Sequence, residues 1–237
     1  GNEGDADWTP EDDARMVELF GSKDSVDFQR EMLCRHISDP NRMIVPEFNY
    51  DRHTVATYQR PKEFIPVICA DGGYVDFFAT LFGYIDFEAD KLIIDDSIIV
   101  NRHHLGQIAK LIGEKTKLLY GMNPIHPRRF ADMKPGELAE LGQVYHQAFA
   151  PASNHDPESQ IAHLRTLFTK DKVIILRHNE MLIRQLQNAI RDEKGKLTRS
   201  EEFGHWDAVM ALVYMARNAP WRMNPLTPEP VDYTFKH

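Results

Sequence analysis

A mixed α/β sheet covered by helices is the fold class this sequence predicts, and three observations predict it. Apolar runs of strand length at 65–71, 77–86 and 91–100 follow one another, joined only by the short links 72–76 and 86–90. Short links make such neighbours antiparallel. After residue 100 the apolar period lengthens to the helical one, and helical stretches then alternate with short strand runs at 128–132 and 173–176. The chain has 237 residues, 42% of them hydrophobic, which suits one domain with a substantial core.

The elements follow in order. Residues 1–24 read as an acidic linker or cloning boundary. A helix is expected at 25–38, with Phe28, Met32 and Ile37 facing inward, and Pro40, Pro46 and Pro61 then punctuate an irregular stretch. The first strand is Ile65-Pro66-Val67-Ile68-Cys69-Ala70-Asp71, with Pro66 placed at its start because proline breaks a central ladder. In the third strand Asp95 and Asp96 interrupt the apolar pattern; a bulge or sheet edge is one reading, a supporting role near a metal the other.

Asn101 is expected to cap a helix carrying Leu105, Ile108, Ala109 and Ile112. A helix near 136–146 carries Leu138, Leu141 and Tyr145. Asp156 and Pro157 form a helix start, and that helix buries Ile161, Leu164 and Phe168. Asn179 is placed to cap a helix with Leu182, Leu186 and Ile190, and 192–196 reads as the tip of an exposed hairpin or loop. A last helix is expected over about 205–217, followed by a proline-rich tail at 219–237.

Bulk properties exclude several classes. No run of 18 apolar residues occurs, so no membrane partner is expected. The acidic N-terminus has neither basic flank nor apolar core, so no secretory signal is expected. Cys34 and Cys69 both sit in apolar surroundings and read as reduced thiols. The net charge of −8 is uneven: residues 1–31 hold ten acids against three bases, whereas 165–199 holds nine bases against four acids. A phosphate-facing surface is compatible with that distribution, and so is a set of solvated helix faces.

This element order is that of the ribonuclease-H fold, in which the first and fourth strands are neighbours. Asp71 ends the first strand, Asp132 ends the fourth, and Asp207 opens the last helix. Three carboxylates converging from those places favour a hard cation, Mg²⁺ or Mn²⁺, and two such ions suit phosphodiester hydrolysis. Taken singly, each aspartate also has an ordinary reading, as turn residue, strand end or first-turn acid.

Several stretches carry a resemblance. They are Arg30-Glu31-Met32-Leu33-Cys34, Ala70-Asp71-Gly72-Gly73-Tyr74-Val75-Asp76, Leu81-Phe82-Gly83-Tyr84-Ile85-Asp86-Phe87, Arg129-Phe130-Ala131-Asp132, Ile161-Ala162-His163-Leu164-Arg165, and Phe203-Gly204-His205-Trp206-Asp207-Ala208-Val209-Met210-Ala211-Leu212-Val213-Tyr214. Across roughly 28–218 the chain resembles the C-terminal nuclease domain of the large terminase subunit of tailed bacteriophages, and 25–218 is taken as that domain. The resemblance implies an endonuclease that uses two Mg²⁺ or Mn²⁺ ions when DNA is bound and cuts concatemeric double-stranded DNA. It maps an acidic triad onto Asp71, Asp132 and Asp207 and an additional acidic position onto Asp76.

It also implies a terminase ATPase domain, a small terminase subunit and a portal as partners, and the cytoplasm of an infected bacterium as the setting. Related sequences often carry a lysine where this chain reads Ser153-Asn154-His155-Asp156, and that lysine's role is not transferred to His155. A phosphate-binding GxxxxGK[ST] loop is missing; Gly113-Glu114-Lys115-Thr116 lacks the spacing and is placed at a helix end.

Arg128, Arg129, Lys194, Lys196, Arg199 and His205 are the candidates for DNA-backbone contact. His205 is also readable as a packed helix-start residue. His103 and His104 have no third ligand at zinc spacing. Two rival readings remain, another ribonuclease-H-fold nuclease (a resolvase or RNase H) and a non-catalytic docking module for the portal or motor.

Overall fold

A computed structural model describes residues 42–72, 77–123, 125–152, 155–200 and 203–222. The expected helix at 25–38, Cys34, Asp76 and the tail from 223 onward lie outside the described residues. In chain order the elements are α1 (Tyr50–His53), β1 (Thr54–Val55), β2 (Ile65–Gly72), β3 (Phe77–Asp86), β4 (Lys91–Asn101), α2 (Leu105–Tyr120), β5 (Arg128–Asp132), α3 (Pro135–Gln143), β6 (Ala150–Pro151), α4 (Pro157–Thr169), β7 (Val173–Leu176), α5 (Glu180–Asn188) and α6 (Asp207–Asn218).

The strands form one sheet in the order β1-β7-β4-β3-β2-β5-β6. β2, β3 and β4 pair antiparallel as their short links require. β5 then joins β2 in parallel, with Asp71 opposite Asp132. Pro66 lies one residue beyond the end of the β2–β5 ladder, which starts at Val67, so its missing N–H interrupts no bond to β5.

Side-chain alternation sends β2 residues to two separate cores. Val67 and Cys69 join Leu81, Leu92 and Ile94 on the face covered by α6 and α4. Ile68 and Ala70 join Phe82, Tyr84 and Ile93 on the face covered by α2 and α3. Helix α6 lies against β2 and β3, with α4 and α5 packed on its outer side. Every residue from 207 to 216 is consequently buried. This explains a helix that is almost wholly apolar between its polar ends, Asp207 and Arg217-Asn218.

The structure corrects some expected boundaries. Asn101 does not cap α2, because β4 runs on to Asn101 and the chain turns through Arg102 in the left-handed region (φ 53°). His104 is the cap residue, and its backbone N–H donates to the Gln107 side chain at 3.0 Å. Tyr145 lies past the end of α3, where the chain reverses through left-handed His146, and its ring packs over Gly106. Ile190 lies past α5 and bridges to Met43. Residues 113–116 fall inside α2, not at its end. The two-residue strands β1 and β6 and the single turn α1 are too short to show a period and were not expected.

Candidate functional site

Asp71 and Asp132 end adjacent parallel strands and are register partners, on strands spaced about 4.8 Å apart. Asp71 shares the parity of Val67 and Cys69, and Asp132 that of Phe130, so both belong to the face packed by α6. Asp207 is the first residue of α6 and is buried, and a carboxylate there is favoured by the helix dipole. Burial, then the charges of Asp207 and Asp132, push the Asp71 carboxyl well above the usual carboxylate range, against a smaller downward pull from the Gly72 N–H. The charges of Asp132 and Asp207 thus both act on Asp71.

The turn before α6 needs unusual backbone. Gly204 has φ 67° and Trp206 has φ 65°, and a non-glycine residue there costs about 1–2 kcal/mol. Trp206 is buried and stacks on Phe203 at 5.7 Å between ring centroids. A side-chain carbon on Gly204 would stand 3.0 Å from the Phe77 ring and 3.5 Å from Asp207 Oδ2. The positive φ favours glycine at 204, and the Phe77 ring would have to give by a few tenths of an ångström to admit any other residue.

Two residues of this neighbourhood escaped the sequence reading as site residues. Gln185 on α5 is fully buried; its Nε2 donates to the Phe203 carbonyl at 3.3 Å and its Oε1 accepts from the Ala208 N–H at 3.0 Å. Tyr214, seven residues after Asp207 and so on the same side of α6, is buried, and burial together with the neighbouring Asp132 carboxylate pushes its hydroxyl pKa up. Both were visible in principle: Gln185 interrupts an apolar face between Leu182 and Leu186, and Tyr214 sits two turns from Asp207.

The DNA candidates divide. Arg129 is committed inside the protein: its Nη1 donates to Gln147 Oε1 at 2.7 Å, its guanidinium lies 5.8 Å from the Phe149 ring centroid, and burial pulls its pKa down. Arg128, Lys194, Lys196, Arg199 and His205 are exposed. Much of the basic excess at 165–199 is neutralised by acids outside that stretch: Arg165 pairs with Glu47, Lys172 with Asp90 and Arg191 with Glu158.

The expected hairpin tip is present, with Asp192 receiving the backbone N–H groups of Lys194 and Lys196 and Arg191 bridging to Leu197. It is tied to the start of α6 by the Trp206 Nε1–H donating to Thr198 Oγ1 at 3.4 Å. His155 is exposed, and nothing gives it a phosphate-binding role. A cleft of about 230 Å³ opens on the other side of Gly72 and Met133; its rim carries His103, His104, Glu137 and Glu140.

The donor set, carboxylate oxygens crowded around Asp71, fits a hard divalent cation. Among the described residues, however, no three of His, Cys, Asp or Glu stand close enough together to grip an ion. The aspartates thus converge in charge without yet sharing a closed ligation sphere.

Asp95 and Asp96 lie elsewhere. The β3–β4 register slips at Phe82/Gly83, so that Asp95 is the extra residue of a bulge. Asp95 is ion-paired to Arg60 and lies by Tyr84 and Tyr120, on the α2 face of the sheet. The bulge reading holds, and the metal-supporting reading does not.

A parallel β2–β5 pair beside an antiparallel β2–β3–β4 meander, with carboxylates at the strand ends, defines a ribonuclease-H-like α/β fold. Solved structures of similar fold include nuclease domains of phage large terminases. The nuclease domain of the P22 large terminase superposes with a TM-score of 0.56 at 18% identity, over 73% of this chain and 90% of that one. That of thermophilic phage G20c, solved with bound magnesium, gives 0.54 at 21% identity, over 75% of this chain and 98% of that one. A whole large terminase of another thermophilic bacteriophage, in complex with ADP, gives 0.64 at 13% identity, over 89% of this chain and 52% of that one. This chain thus spans about half of that longer protein. No family model matches the sequence, and no curated protein matches it either.

Proposed function

We propose that this chain is the nuclease domain of a phage large terminase, a metal-dependent endonuclease that cuts concatemeric double-stranded DNA. The observation that carries the reading is the in-register pairing of Asp71 with Asp132, with Asp207 acting on Asp71 from the helix above. Bound Mg²⁺ or Mn²⁺, two ions with DNA present, would supply an acidified water and neutralise the departing 3′ oxygen.

Asp71, central in the sheet, is the ligand to share between the ions, and Asp132 and Asp207 complete one site each. Asp76 is an additional candidate ligand. The hairpin carrying Lys194, Lys196 and Arg199, with His205 and Arg128, would hold the DNA backbone on the α6 side. Glu137 and Glu140 make the cleft on the other side hostile to phosphate. Arg129 is withdrawn from this role because its side chain is engaged internally. The magnesium, cobalt and manganese bound in the terminase nucleases of similar fold support the choice of ion. An ATPase domain, a small subunit, a portal and the infected host's cytoplasm belong to the same proposal.

Plasmid digestion with Mn²⁺ tests it. Wild-type protein is expected to nick and linearise the plasmid, and a folded Asp71→Ala variant to leave it intact. Equal cutting by both proteins would overturn the assignment, and a docking module would cut with neither.

A further inference from the structure

We propose that Gln185 and Tyr214, two buried uncharged side chains, are the positioning residues of the aspartate trio, Gln185 holding the turn that delivers Asp207 and Tyr214 holding Asp132. The inference rests on the nuclease reading and deepens it.

The turn from Phe203 to Ala208 contains two left-handed residues, Gly204 and Trp206, separated by a single position, and local preference does not hold Trp206 there. The Gln185 amide closes this turn from both ends, donating to the Phe203 carbonyl and accepting from the Ala208 N–H. That N–H belongs to the first turn of α6 and has no partner within the helix. Because Gln185 is fully buried, both halves of its amide are committed to the turn. Asp207 is the residue between the two anchored points, so the bracket fixes where its carboxylate starts.

Tyr214 works from two turns further along α6. It is buried on the helix that packs against β5, and its hydroxyl lies within the electrostatic influence of the Asp132 and Asp71 carboxylates. A Tyr hydroxyl bonded to one carboxylate oxygen sets the rotation of that group and leaves the remaining lone pairs for an ion. A phenylalanine would fill the same space, so shape alone does not call for the hydroxyl. Both groups are neutral. They orient the acids without cancelling the charge that an incoming cation needs.

The test uses the full chain carrying Tyr214→Phe, Gln185→Met or Gln185→Glu. Mn²⁺ affinity is read by calorimetry and by the electron paramagnetic resonance of free Mn²⁺, alongside kcat and KM for plasmid cleavage and melting in chelator. Loss of a hydrogen-bond partner to a metal ligand typically costs about 10–100-fold in metal affinity. Tyr214→Phe is expected to lose affinity in that range and to lose kcat, while KM for DNA and the melting temperature in chelator stay near wild type. Gln185→Glu keeps the acceptor for Ala208 and loses the donor to Phe203, so a smaller loss is expected; it decides the Gln185 arm if Gln185→Met does not fold. Mn²⁺ affinity and kcat within twofold of wild type in folded Tyr214→Phe and Gln185→Glu would overturn the proposal. Failure of Tyr214→Phe to fold would also count against it, by making the hydroxyl a structural group. Wild-type protein that neither binds Mn²⁺ nor cuts DNA would instead remove the nuclease reading itself.

Discussion

Two groups of acids interrupt the same sheet, and the protein treats them in opposite ways. Asp95 and Asp96 sit at the β4 bulge, and each has a cation. Arg60 pairs with Asp95 while its guanidinium lies 5.4–5.5 Å from the ring centroids of Phe64, Tyr84 and Tyr120, and Lys115 Nζ stands 2.7 Å from Asp96. Burial raises the Asp95 pKa, but Arg60 pulls it back. At the ends of β2 and β5 the charges acting on Asp71 are two further carboxylates, and both push in the same direction as burial. One cluster is neutralised from within and holds the bulge in place. At the other, the charges that act on Asp71 raise its pKa instead of lowering it. The direction in which neighbouring charge shifts a buried acid, not the presence of buried acids, separates the proposed metal cluster from the bulge cluster.

The largest effect on stability is expected at the neutralised cluster. Arg60→Ala strips the partner from Asp95, removes a hydrogen bond to the Leu119 carbonyl, and empties the space between three aromatic rings. Breaking a buried pair costs about 3–5 kcal/mol, and the partial exposure of Arg60 puts this case near the lower end. A fall of roughly 6–12 °C in the melting temperature is therefore expected by calorimetry. An unchanged melting temperature would make this cluster no more structural than the other and dissolve the contrast.

At the second cluster the sign reverses. The folded pKa of Asp71 lies above its ordinary value of 3.8. Between the two values the native state holds more protons than the unfolded chain, so stability falls as pH rises through that window and stays reduced above it. In chelator at neutral pH, Asp71→Asn is therefore expected to melt higher than wild type. The gap should close below the ordinary carboxylate range, where both side chains are neutral. Mn²⁺ at about a hundred times its Kd would then stabilise wild type by roughly 2.7 kcal/mol and the variant far less. Chelated melting curves for Asp71→Asn that fall below wild type at pH 7 would show that Asp71 is compensated after all.

The contrast was half legible in the sequence. The antiparallel meander and the places of Asp71, Asp132 and Asp207 at element ends followed from apolar period and link length, which are local signals, whereas the pairing of Asp71 with Asp132 came from the ribonuclease-H topology that the element order matches. The bulge at Asp95 was legible too, because two consecutive acids cannot both face out of a regular strand. Arg60, Gln185 and Tyr214 were not singled out. Their partners lie 35 residues away for Arg60–Asp95 and 23 for Gln185–Ala208, distances over which no local pattern carries information. The missed cap at His104 and the early end of α3 have a nearer cause, left-handed turns at Arg102 and His146 where the residue type gives little warning. The basic stretch misled for a similar reason: Arg165, Lys172 and Arg191 find acids that are remote in the chain.

What remains of that stretch gives the smallest stability effect and a separate readout. Lys194 and Lys196 are exposed, and Asp192 holds the tip through their backbone N–H groups rather than through their charges. Reversing both to Glu should leave the melting temperature within about 1 °C, as for surface changes generally. For every phosphate the protein stops neutralising, the slope of log affinity against log salt is expected to flatten by about 0.9. The double variant should therefore bind duplex DNA more weakly and with a slope shallower by roughly two, as read by anisotropy over a salt series. Because the hairpin is fastened to Trp206 beside Asp207, weaker binding there would place the DNA backbone over the Asp71–Asp132–Asp207 cluster. An unchanged slope would move the duplex off the hairpin and leave Arg128 and His205 as the side chains to test next.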